Sequence, residues 1–158
     1  MSENRLPQSE RKNLDLDKLE FWNQNPRISD WIIPIKEQNG EATHNDIKSY
    51  FLSKEEKGYE KYDIDGLVKS LYTKGMVDAL IVNELSAHEY IVFEGNRRLA
   101  ALLKLKEIYK KKKEKLPNQF KSIQCDVYNN LSEDKMFELV ELWHGAEQKK
   151  RHSPYNSA

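Results

Sequence analysis

The stretch Tyr90-Ile91-Val92-Phe93-Glu94-Gly95-Asn96-Arg97-Arg98-Leu99-Ala100-Ala101 carries the reading of this chain. Four β-favouring residues stop near a glycine. A helical pattern then begins at once and runs to about Lys113, with Leu99, Leu102, Leu103, Leu105 and Ile108 on a wide apolar face. A strand that turns straight into a helix leaves unpaired amides at the helix N-terminus. With the positive end of the helix dipole these form an anion site. Gly95 permits close backbone approach, and Arg97 and Arg98 add forked donors that match phosphate oxygens. Two cations in a first turn oppose the dipole, a conflict that a bound anion would relieve. The plainer alternative is a turn glycine and two surface arginines paired with Glu94 or Glu89.

Working outward, Ile64, Leu67, Val68 and Leu71 form one helical stripe, with Gly75 placed to cap it and Gly66 weakening its start. Met76 to Val82 suits a strand, Glu84 to Glu89 a polar turn, and Gln119 to Tyr128 a third strand. Ser132 caps a last helix through Met136, Phe137, Val140 and Trp143. Upstream, Ile47, Tyr50 and Phe51 mark a helix from about His44, and Ser53 to Glu56 reads as a capping box. Trp31 to Ile35 is apolar but carries Pro34, and Asn39-Gly40 signals a turn. Phe21 to Arg27 is a loop whose direction Pro26 fixes. Leu14, Leu16 and Leu19 suit a short strand or turn, and residues 1–13 read as a flexible N-terminus. The order of elements is mixed α+β.

The chain has 158 residues, the size of one globular domain, with 38% hydrophobic and 33% charged residues. No run approaches the roughly 20 apolar residues of a spanning helix, and the first residues lack the apolar stretch of a signal peptide. A single cysteine, Cys125, permits no internal disulfide and no cysteine-based zinc cluster, so a cytoplasmic location is expected. Lys+Arg and Asp+Glu both number 26, so any electrostatic case for nucleic acid must be local.

The helix from Ile64 ending in Ser70-Leu71 and Gly75, the strand Leu80-Ile81-Val82, the strand Tyr90-Ile91-Val92 and the Gly95-Asn96-Arg97-Arg98-Leu99-Ala100-Ala101 turn together resemble the ParB N-terminal domain, of the ParB/sulfiredoxin superfamily. Upstream, Asn23-Gln24-Asn25-Pro26-Arg27 is similar to that family's first Asn-Pro-x-x-Arg box. The resemblance spans residues 14–145, with 29–62 as a helical insertion and 146–158 as a tail or the start of a further domain. Because such proteins continue into a helix-turn-helix domain, the chain reads as a truncated or short form.

The resemblance implies a small mixed sheet with flanking helices and a strand–Gly–helix phosphate loop. It implies a domain that binds a nucleoside triphosphate, CTP or ATP, with magnesium. Gly95, Asn96, Arg97 and Arg98 match the phosphate loop and Arg27 the box that borders it. It further implies a regulatory role in a DNA-associated protein of bacterial or phage partition, plasmid or transcription control. DNA would then be met through a domain absent here, and a homodimer is a further expectation. The alternative is a ParB-like nuclease or nucleotide hydrolase, with Glu94 as the catalytic candidate.

Three departures bear on this. Asn96 stands where the family's loop carries glutamate, leaving Asn96 and Glu141 as metal candidates. No cysteine lies in the loop, against sulfiredoxin chemistry. The family's Glu-Asn-x-x-Arg box is poorly matched by Glu141-Leu142-Trp143-His144, where Glu141 or His144 would stand near the loop; His144 suits a ligand or general base, the plainer reading of an isolated histidine being structural. Finally, Lys110, Lys111, Lys112 and Lys113, and separately Lys149, Lys150 and Arg151, are candidate DNA contacts; the plainer readings are a solvated helix end and a tail.

Overall fold

The structure, a computed structural model, describes residues 6–75, 78–86 and 88–151, with 146–151 as helical backbone. Five strands form one mixed sheet: β1 (Glu10–Asp15), β2 (Leu19–Phe21), β3 (Leu80–Ser86), β4 (Glu89–Glu94) and β5 (Ser122–Asn129), in the order β1-β5-β3-β4-β2. The β1·β5 and β3·β4 pairs are antiparallel; β3·β5 and β2·β4 are parallel. Among the described residues six α-helices accompany it: α1 (Ser29–Asn39), α2 (His44–Leu52), α3 (Lys57–Lys61), α4 (Ile64–Lys74), α5 (Asn96–Lys111) and α6 (Glu133–Arg151). This is the mixed α+β class expected.

β4 explains the layering. Tyr90 and Val92 face a core shared with α2, α4 and α5, while Ile91 and Phe93 face Met136, Leu139 and Val140 of α6. A strand covered on both sides needs a continuous apolar run, and Tyr90-Ile91-Val92-Phe93 supplies one. α1, α2 and α3 fill the stretch set apart as helical and join the same core through Ile32, Ile47, Phe51 and Tyr59. α1 forms in spite of Pro34, and Trp31 stacks on Tyr50 at 4.6 Å to hold it.

Several boundaries depart from the sequence reading. Within the stretch read as a flexible N-terminus, a strand starts at Glu10: β1 pairs through its backbone with β5, and Arg11 meets Asp126 at 2.5 Å, so the strand needs few apolar side chains. The strand expected over Met76 to Val82 is β3, which starts at Leu80 and runs into the expected turn as far as Ser86, while residues 76 and 77 lie outside the described residues. Asn83 permits that extension, because its buried amide donates to the Leu131 carbonyl and accepts from the Leu131 N–H. β5 begins only at Ser122, after a 3₁₀ turn over Asn118–Phe120. α6 continues past residue 145 to Arg151. The capping box lies at Thr43 and Asp46, which exchange side-chain-to-backbone bonds of 3.1 and 2.9 Å. Ser53 instead ends α2.

Gly66, awkward within α4, has a local cause. Its N–H donates to the Asp63 carboxylate that caps the helix, and an added Cβ would lie 2.2 Å from that group. At the far end of α5, Glu114 N–H bonds the Tyr109 carbonyl and Lys113 N–H the Lys110 carbonyl, with Lys113 at φ 58°. This is the closing pattern in which glycine is usual, and a lysine there costs about 1–2 kcal/mol.

His44 opens α2 and joins it to the sheet: it accepts the Phe21 N–H on Nδ1 at 3.1 Å and stacks on the Phe21 ring. Burial, and secondarily the charge of Lys48, holds its pKa below the usual imidazole value. Protonation is therefore easier in the unfolded chain, so the stabilising contribution is complete above about pH 6.5 and is lost as pH falls below it. We expect the melting temperature to drop between pH 7.5 and 5.5. His44→Asn, whose Oδ1 can accept the same bond, should flatten that dependence; an equally steep profile in the variant would refute the assignment.

Candidate functional site

The end of β4 sets the site. Gly95 takes φ 98°, and an added Cβ would stand 2.7 Å from Leu80 Cδ2. The glycine is thus required by the turn and by β3 packing beneath it, before any ligand is considered. The first intrahelical bond of α5 is Leu99 N–H to Gly95 carbonyl at 2.9 Å. Gly95 offers no side chain to cap the helix, so the amides of residues 96–98 remain as the helix's orphan donors.

They border a cleft of about 370 Å³. Arg27, Glu94, Gly95, Asn96, Arg97 and Arg98 all line it, so the structure brings the main sequence-predicted group together. Arg97 Nε donates to the Tyr62 carbonyl and its Nη2 to the Asp63 carbonyl at 3.4 Å; Arg98 Nη1 donates to the Asp78 carbonyl at 2.8 Å. These bonds, rather than Glu94 or Glu89, answer the arginines at the helix start. Tyr62 links two walls, since its hydroxyl donates to the Arg27 carbonyl at 3.1 Å. Arg27 is held by Asn25, whose buried side chain accepts the Arg27 N–H at 3.0 Å.

Asn96 corrects one expectation. Its side chain is buried, donating to the Val92 carbonyl at 2.9 Å and accepting the Trp22 N–H at 3.4 Å. It ties the exits of β2 and β4 together and presents no oxygen to the cleft as a metal ligand. Glu141 is exposed on α6 and is not part of the lining. His144 stands there instead. Its Nε2 lies 3.0 Å from Glu94 Oε2 and its Nδ1 2.5 Å from Arg27 Nη2. A guanidinium only donates, so Nδ1 accepts and Nε2 carries the proton toward Glu94. The signal for His144 was in the sequence: Met136, Val140 and His144 recur every four residues, on the stripe that α6 turns toward the sheet.

Among the described residues no three His, Cys, Asp or Glu side chains gather as a metal site. The cleft offers Glu94, already engaged by His144, and the exposed Asp78. The residues present do not form the magnesium site that the loop resemblance implies. Cys125 lies in the core, where burial pushes its thiol up to about 12 and holds it in the protonated, unreactive form. Lys110 to Lys113 lie at the other end of α5. The side chains of Lys149, Lys150 and Arg151 lie outside the described residues.

If Asn96 is a structural tie, Asn96→Asp should destabilise the fold by roughly 1–3 kcal/mol, because the near-isosteric side chain loses its donor to Val92 and buries a charge. Chemical denaturation measures this. A variant of unchanged stability with tighter magnesium binding would restore the ligand role.

The solved structure of a Pnob8-like ParB-N domain is 18% identical to this chain, with a TM-score of 0.44, over 87% of this chain. The chain spans 37% of that protein's length. Comparison with curated proteins returns no match. The sequence pattern of the ParB N-terminal domain matches residues 36–114, half of the chain and the part that holds α2 to α5 with the Gly95 turn, and the chain belongs to that family.

Proposed function

We propose that this chain is a nucleotide-binding regulatory domain of a DNA-associated protein, taking the phosphates of a nucleoside triphosphate at the start of α5. The observation that carries the reading is an uncapped helix N-terminus opening on a cleft rimmed by Arg27, Arg97 and Arg98. Three guanidinium groups face two carboxylates, Glu94 and Asp78, so the lining favours an anion. Each arginine keeps donors beyond those bound to carbonyls or to His144, since a guanidinium carries five N–H groups.

Binding without efficient turnover is the form we favour. Both nitrogens of His144 are engaged, by Arg27 and Glu94, so neither is placed to take a proton from water. Asn96 faces the protein, and the carboxylates that a metal-assisted hydrolase needs are not assembled.

Titration calorimetry with the four ribonucleoside triphosphates, with and without magnesium, tests the reading. Arg97→Ala with Arg98→Ala removes two charge-assisted contacts of about 1.5–3 kcal/mol each, so affinity should fall at least about a hundredfold. Those variants also lose bonds to backbone carbonyls. Arg27→Ala, whose side chain bonds His144 rather than a backbone carbonyl, therefore serves beside them and should weaken binding about tenfold or more. Unchanged affinity in folded variants would refute the site, as would the absence of binding by any triphosphate at millimolar concentration.

A further inference from the structure

α4 and α5 lie side by side and run the same way. Arg97 in the first turn of α5 bonds Tyr62 and Asp63 at the start of α4, and Tyr109 near the end of α5 stacks on Tyr72 near the end of α4. Their C-termini therefore open at one end of the layer, roughly 20 Å from the cleft by the rise of the α5 helix. That end carries Lys74 on α4 and Lys110, Lys111, Lys112, Lys113 and Lys115 on and after α5, all exposed.

Cations at helix C-termini are expected, but two helix ends amount to about −1 charge together, and Glu114 adds one more. Six lysines exceed that by roughly four charges. Among the described residues none of the six pairs with a carboxylate within 4 Å, whereas Lys12, Lys104, Lys106 and Lys135 do. Lys113 also keeps a left-handed backbone that favours glycine. A concentrated, unpaired positive patch held at the expense of local backbone comfort asks for a polyanion.

We propose that this lysine end is a contact surface for the phosphate backbone of double-stranded DNA, separate from the cleft. Duplex DNA presents a charge about every 1.7 Å along its axis, a density that matches clustered point charges without base reading. An anionic membrane fits less well. Among the described residues Tyr72 is the large exposed apolar side chain at this end, and its ring rests on Tyr109 rather than standing clear as a wedge.

Fluorescence anisotropy with a labelled 30-base-pair duplex of arbitrary sequence, without nucleotide, from 50 to 200 mM salt, tests this. The quadruple variant Lys110→Gln, Lys112→Gln, Lys113→Gln, Lys115→Gln should bind at least tenfold more weakly at 50 mM salt. Its log–log salt slope should be shallower by about 0.9 for each lost phosphate contact. A control with Lys18, Lys36, Lys48 and Lys57 changed to Gln should stay within twofold of the parent. Equal losses in both variants, or none in either, would overturn the proposal. So would tighter, patch-dependent binding to vesicles containing 30% phosphatidylserine than to the duplex. Because the assay holds no nucleotide, its failure leaves the cleft reading standing.

Discussion

The geometry of the cleft depends on one buried amide. β2 and β4 are parallel neighbours whose chains leave the sheet on the same side, β2 toward the Asn25–Arg27 turn and β4 toward α5. Asn96 bonds the backbone of both, at Trp22 and Val92. A buried amide with both ends satisfied fixes its neighbours more sharply than apolar contact, because either partner left unpaired costs about 1–3 kcal/mol. It therefore sets how far Arg27 stands from the first turn of α5. Asn25 continues the constraint by turning the chain at Arg27.

The two arginines after Asn96 then lose their paradox. They oppose the α5 dipole, yet their donors reach the carbonyls of Tyr62, Asp63 and Asp78, whose partial negative charge sits beside the helix start. They clamp the start of α4 and the approach to β3 around the turn. The same bonds hold the guanidinium planes at the rim without a ligand, so a bound anion would meet donors already in place. Asp63 shows what this arrangement costs: it sits in the left-handed region at φ 49°, stabilised by its own side chain capping Gly66.

Much of the fold could be read from apolar spacing. Tyr90 to Phe93, the α5 stripe and the α4 stripe all stand where their periods place them, because burial on one or both faces dictates those patterns. What escaped was held by hydrogen bonds. β1 reads as a polar tail because an edge strand is secured by backbone pairing with β5. β3 runs past Val82 because Asn83 finds both partners on Leu131, forty-eight residues away, and no local pattern announces such a bond.

The site divides along the same line. Gly95, Arg97 and Arg98 are legible as residue types suited to an anion and Arg27 through the resemblance of its box, and the fold places them on one cleft. Where a residue's task is set by a distant partner, local spacing leaves it open. Of the two candidates on α6, Glu141 and His144, the helical stripe of Met136 and Val140 delivers His144, between Arg27 and Glu94. Asn96 looked like a weakened metal ligand because it stands in place of a carboxylate. A carboxylate could accept the Trp22 N–H but could not donate to the Val92 carbonyl, so an amide is the group this position requires. In this chain Asn96 thus joins the ends of two strands.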